Sequence, residues 1–113
     1  MAVYSPDGEY AVQTTTFTAT GSGTTIDVSD DPLSKFSLTV VPTGAVVSWT
    51  VVLEGSINGS NFTTILSQTN VIGSGITVFS GNSLSPCLYF RVRCSALVLG
   101  LGTNIVATIL GVR

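Results

Sequence analysis

The chain has 113 residues, the size of one domain with a single core. Only 9% of the residues are charged and the formal net charge is −2, where a typical soluble domain carries about 25% charged residues. A hydrophobic share of 44% excludes a disordered chain, four cations exclude a basic nucleic-acid binder, and the lack of histidine removes the commonest catalytic base and metal ligand.

Residues 1–10 hold neither a basic leader nor an apolar run, so no signal peptide is expected. With little core-forming pattern before Val12, they read as a candidate N-terminal arm laid over a neighbouring subunit. Beyond them the vocabulary is that of a β-sheet. Val, Ile and Thr dominate, while the long helix-forming residues are scarce and no amphipathic helical stretch stands out.

Short runs separated by turn residues follow in order. Tyr10 to Thr20 is a threonine-rich strand whose one large apolar side chain after Val12 is Phe17, and Gly21-Ser22-Gly23 ends it. A short run, Thr24 to Val28, stops at Ser29-Asp30-Asp31-Pro32. Lys35 to Val41 alternates, with Phe36, Leu38 and Val40 on one face; Pro42-Thr43-Gly44 turns the chain. Val46 to Glu54 sets Val47, Trp49, Val51 and Leu53 on one face and Val46, Ser48, Thr50, Val52 and Glu54 on the other, with Glu54 as an exposed strand end. Gly55 to Asn61 is a loop whose Asn58-Gly59 is a tight-turn signal, so Asn58, Gly59 and Asn61 form the expected hairpin tip, with Phe62 to Thr69 as the returning strand. Ile76 to Phe79 is a short strand. Leu88 to Ser95 places Leu88, Phe90, Val92 and Cys94 inward and Tyr89, Arg91, Arg93 and Ser95 outward. Asn104 to Val112 closes the chain. Some eight strands with short links predict an all-β fold: a single antiparallel β-sandwich over residues 1–113, of jelly-roll or immunoglobulin-like topology.

The uncharged stretch Ala96 to Val112 is short for a membrane span, carries Thr103, Asn104 and Thr108 near its centre, and is rich in β-branched residues, which suit a strand better. Cys87 and Cys94 fall in or beside one extended segment, which would hold their Cα atoms roughly 23 Å apart, too far to bridge. Free, buried thiols are therefore expected, compatible with a reducing cytosol.

Motifs that carry chemistry are few. Without histidine a Ser–His triad is impossible, and neither cysteine has a base partner. No catalytic residue, cofactor or metal is therefore expected. Asp30 and Asp31 lack further ligands at cation-site spacing and read as a solvated turn. The sequons Asn58-Gly59-Ser60 and Asn61-Phe62-Thr63 read as turn chemistry. Arg91 and Arg93 share one strand face with Tyr89. They make either a solvated outer face or an ionic contact with a partner's acids, such as Asp30 and Asp31 of a neighbouring subunit; Arg and Tyr are both enriched at interfaces.

The segment Val47-Ser48-Trp49-Thr50-Val51-Val52-Leu53-Glu54-Gly55-Ser56-Ile57-Asn58-Gly59-Ser60-Asn61-Phe62-Thr63-Thr64-Ile65, with Leu88-Tyr89-Phe90-Arg91-Val92-Arg93 after it, resembles small β-sandwich structural proteins of tailed bacteriophages. In those, a strand ending LEGS-x-DG-x-x-W precedes a YVRV strand; this chain departs from the pattern at Asn58 (Asp) and Phe62 (Trp). The pairing also resembles discoidin-type carbohydrate-binding sandwiches. The phage resemblance implies a non-enzymatic virion structural protein, in the first place a capsid decoration or cement protein. Its partners would be itself, as a homotrimer or other homo-oligomer, and a larger shell such as a major capsid protein. It would be made in the host cytoplasm and carried in the virion, with no nucleic acid or membrane as partner. Uncharged outward faces, as at Val46 and Val52, fit burial against copies or a shell. The alternatives are a carbohydrate-binding module, for which Tyr4, Tyr10, Phe62 and Tyr89 are the candidate aromatics, or a connector, tail or fibre component.

Overall fold

A computed structural model describes residues 2–4, 10–28, 33–70 and 77–112. Among them there is no helix, and the strands are β1 (Ala2–Tyr4), β2 (Tyr10–Phe17), β3 (Gly21–Ser22), β4 (Ile26–Asp27), β5 (Leu33–Thr43), β6 (Ser48–Ser56), β7 (Thr63–Asn70), β8 (Thr77–Cys87), β9 (Tyr89–Val98) and β10 (Asn104–Val112). They form two sheets in which every pairing is antiparallel. Sheet I has the order β1-β2-β10-β5-β8. Sheet II has the order β3-β9-β6-β7, with β4 also paired to β9.

The chain changes sheet at almost every connection; among the described residues only the β6–β7 hairpin stays within one sheet of the sandwich proper. With β1 set aside as an addition to the edge, and β3 and β4 taken as one interrupted strand, eight strands remain, and both sheets mix strands distant in sequence. This is the double-sheet jelly roll rather than the immunoglobulin arrangement. Between β3 and β4 the chain stays against β9: Gly23 donates its N–H to Val92 O at 2.7 Å, and a Cβ there would lie 2.9 Å from Thr15 Oγ1 and 3.0 Å from Val92 Cγ1, so any larger residue would have to displace both side chains.

Inward residues of both sheets build one core. Ala11, Phe17, Phe36, Leu38, Val40, Ile105, Ala107 and Ile109 come from sheet I, and Ile26, Trp49, Val51, Leu53, Phe90, Val92 and Cys94 from sheet II. Phe36 and Phe90 meet edge to face across the two layers, with centroids 5.5 Å apart.

Several expectations change at this level. The short strand expected at Ile76 to Phe79 runs on to Cys87, because all of Thr77–Val78–Phe79–Ser80–Gly81–Asn82 pairs with β5. Val46 is buried and Val47 half-exposed, the reverse of the expected alternation, because β6 starts only at Ser48 and both valines lie in the crossing from β5. Val52 is also buried, not an exposed outer residue. Cys87 and Cys94 do not share one extended segment: the chain bends at Leu88, so Cys87 ends a strand of sheet I and Cys94 lies in sheet II. Cys94 is free and buried, its Sγ donating to Ala96 O at 3.3 Å, and burial pushes its thiol pKa up. Of the candidate arm, Ala2–Tyr4 pair with Ala11–Gln13 of the same chain, and residues 1 and 5–9 lie outside the described residues.

Candidate functional site

The two outer faces are built differently, and the difference starts with where the charges lie. The five strands of sheet I contain one charged residue, Lys35. The strands of sheet II contain four: Asp27, Glu54, Arg91 and Arg93.

On sheet II, Tyr89, Arg91 and Arg93 lie on the outer face of β9, as the strand period requires, in register with Ser56, Glu54 and Val52 of β6. Arg91 Nε donates to Glu54 Oε1 at 3.0 Å, and Arg93 Nε donates to Glu54 Oε2 at 3.1 Å. The Phe62 ring lies over the Arg91 guanidinium, 4.0 Å from centroid to Cζ. These long side chains close the face: Val52, Glu54 and Ser56 are all buried although they point away from the core. Glu54 is therefore not an exposed strand end. It is the shared anion of two arginines under their own aliphatic stems, with 8% of its side chain exposed. A carboxylate held by two charged donors in such a place is well satisfied, and its removal would strand both cations.

The tip next to this cluster is locked by its own side chains. Ser56 Oγ accepts the N–H groups of Asn58 at 3.1 Å and Gly59 at 2.9 Å, and donates to Asn58 Oδ1 at 3.0 Å. Asn58 Oδ1 also accepts the N–H groups of Ser60 and Asn61, each at 2.9 Å. Gly59 takes φ +77°, the left-handed conformation that favours glycine, and lies against the Tyr89 ring. The tip residues Asn58, Gly59 and Asn61 are thus brought to the same end of sheet II as Tyr89. Asn58 acts purely as an acceptor here, which an Asp would do equally well.

Arg91, Arg93 and Tyr89 thus come together with Glu54, expected from the sequence only as an exposed strand end. Asp30 and Asp31 lie outside the described residues, so their expected contact with the arginines is not placed. The signal for Glu54 was present in the sequence: one acid amid Val, Leu and Trp, and two arginines at strand spacing, all in outward phase.

Sheet I presents the opposite case. Its outer face carries rows in register: Tyr10–Val112–Lys35, Val12–Leu110–Ser37, Thr14–Thr108–Thr39 and Thr16–Val106–Val41. Apart from Lys35 and Leu110 these side chains are β-branched or hydroxylated, and no row covers its neighbours as Arg91 and Arg93 do. Tyr10 and Leu110 remain 42% and 36% exposed. Among the described residues no group of three or more Cys, Asp or Glu is placed to hold a metal ion, and no helix is long and apolar enough to cross a membrane.

No protein-family model matches the chain, and no curated protein matches it by sequence. Solved structures do share the fold. The chain is similar to the SPBc2 prophage-derived protein YomS at 8% identity and a TM-score of 0.55, covering 90% of this chain and 95% of that one. It is similar to PirA at 12% identity and a TM-score of 0.56, covering 88% and 92%. It is also similar to CBM32-3 of a family 31 glycoside hydrolase from Clostridium perfringens, at 13% identity and a TM-score of 0.52, covering 100% and 88%. At such identities the likeness is one of fold. It places a prophage-derived protein and a carbohydrate-binding module on the same architecture as this chain.

Proposed function

We propose that this chain is a non-enzymatic structural protein of a phage virion, a capsid decoration (cement) protein that oligomerises and stabilises the head shell. The distribution of charge carries the reading. A monomer free in solution keeps mixed charges over its surface, whereas the five strands of sheet I hold Lys35 alone. A face of that kind suits cover by protein. The shared fold with a prophage-derived protein over nearly the full length of both chains supports the same reading. In it the partners are further copies of the chain and a shell such as a major capsid protein, and the protein is made in the host cytoplasm and carried in the virion.

Sugar binding is the second reading, favoured by the fold shared with CBM32-3. The aromatic side chains support it less well. Trp49 is fully buried, the Tyr89 ring lies under Gly59 and the Phe62 ring lies on Arg91. Stacking on a sugar ring needs an uncovered aromatic face, and among the described candidates Tyr10 alone is exposed, on sheet I, the opposite side of the sandwich from Tyr89 and Phe62.

The experiment mixes the purified chain with isolated heads, tails and fibres of a phage that carries its gene. Co-sedimentation with heads, together with a higher temperature of head disruption, is the expected result. Binding confined to tails or fibres would move the protein to another part of the virion. No binding to any particle, with retention on a glycan array, would replace the reading by the sugar-binding one.

A further inference from the structure

We infer that the outer face of sheet I is where two copies of this chain meet, stacked sheet on sheet about a two-fold axis. The inference rests on the self-assembling role proposed above and names the surface that serves it.

The face has the extent such a contact needs. Five strands about 4.8 Å apart, with the nine residues of β10 rising about 3.4 Å each, cover on the order of 700 Å². A standard specific interface buries about 800 Å² per partner, and most lattice contacts bury less than half of that. Covering the face takes the hydroxyls of Thr14, Thr16, Ser37, Thr39 and Thr108 out of water. Thr14 Oγ1 and Thr108 Oγ1, 3.1 Å apart, make one hydrogen bond within the face, and the remaining hydroxyls take their partners from the same groups of the facing copy. Lys35 stands in the last row, beside Val112 and Tyr10, where its flexible stem lets the ammonium reach water at the rim.

The chemistry selects a second copy as the occupant. A face whose one charge is Lys35 at its rim has little electrostatic pattern with which to orient a different partner. Its recognisable feature is shape, the right-handed twist of an antiparallel sheet carrying short side chains. Two identical sheets have the same twist, so they stack face to face at a small angle with side chains interdigitated, as the two layers of a sandwich do. A two-fold axis brings each row onto its counterpart and closes the assembly, leaving no second open patch. The outer face of sheet II cannot serve in the same way. Stacking it would take Asp27, Arg91 and Arg93 out of water against the same charges of the other copy.

The test uses the full chain. Native mass spectrometry and sedimentation equilibrium report the mass of the wild type, of Thr108→Lys and Thr14→Lys on sheet I, and of Thr69→Lys on sheet II as control; circular dichroism checks folding. A wild-type dimer is expected. Each sheet I variant should raise its dissociation constant about 100-fold or more, since a buried unpaired ammonium costs several kcal/mol, and Thr69→Lys should leave it unchanged. Small-angle scattering on the wild type decides independently of any variant. A stacked dimer doubles a short axis and leaves the 42 Å axis of one copy unchanged, giving a less elongated particle, and an end-to-end dimer nearly doubles the 42 Å axis. A dimer that is extended, or that survives both sheet I substitutions in folded form, overturns the inference and leaves self-assembly intact. A wild type that stays monomeric at every concentration overturns both. A monomer whose binding to phage heads is lost in Thr108→Lys overturns the copy-to-copy contact and gives the face to the shell protein.

Discussion

The outer faces of the two sheets solve the same problem in opposite ways. Each central strand has alternate residues pointing away from the core. On sheet II those residues are covered by the chain itself: Arg91, Arg93 and Phe62 fold over β6, and Val52, Glu54 and Ser56 are buried as a result. On sheet I the outward residues of β2, β10 and β5 are threonines, valines, a serine and Leu110, with Tyr10 and Lys35 confined to the end row and Asn104 to the other end, so the middle rows have no side chain long enough to cover a neighbouring strand. Burial on an outer face therefore follows side-chain length as much as apolarity. A face with long amphipathic arginines covers itself, and a face of mostly short residues stays partly exposed.

The largest effect is expected from uncovering sheet II. Arg91→Met with Arg93→Met leaves the Glu54 carboxylate buried without a charged partner and should cost about 3 kcal/mol in urea unfolding. Adding Glu54→Leu to that pair should restore most of the loss, because an apolar replacement of the whole cluster needs no partner. The triple variant should also self-associate more than the wild type, having turned sheet II into a second neutral face. If it stays as destabilised as the double variant, the cluster is not what holds the face together.

Ser56→Ala tests the locked tip. It removes the acceptor of two backbone N–H groups and should lower stability by about 1–2 kcal/mol. Asn58→Asp keeps every acceptor role and should change thermal stability by less than about 0.5 kcal/mol. The smallest effect belongs to sheet I. Thr108→Val replaces an exposed hydroxyl by a methyl of similar shape and should shift monomer stability by no more than about 0.5 kcal/mol. A loss comparable to that of the double arginine variant would mean that sheet I also depends on its outer side chains for folding.

Much of the fold was legible in the chain. The last strand, Asn104 to Val112, has the expected bounds, and the inward sets Phe36–Leu38–Val40, Trp49–Val51–Leu53 and Phe90–Val92–Cys94 are in the core. These depend only on the two-residue period of a strand. Where the reading failed, the cause lay outside the segment being read. Val46 and Val47 exchange places because the crossing from one sheet to the other rotates the chain ahead of Ser48. The strand to Cys87 is long because β5 is there to pair with it. Against β9, the register of β6 shifts between Thr50 and Val51, and against β7 between Leu53 and Glu54, so each strand has one residue without a counterpart that no local pattern foretells.

Composition and alternation thus settled the class of fold, the antiparallel pairing, the core faces and the scarcity of charge, since each is a property of neighbouring residues. Pairing across the chain decided the rest. Glu54 meets Arg91 and Arg93 only because β6 and β9, 37 and 39 residues apart at those positions, are neighbours in one sheet. That adjacency also sorts four of the charged residues onto sheet II and leaves sheet I with Lys35. The low charge visible in the sequence became two distinct faces only when the strand order assigned each residue to a sheet.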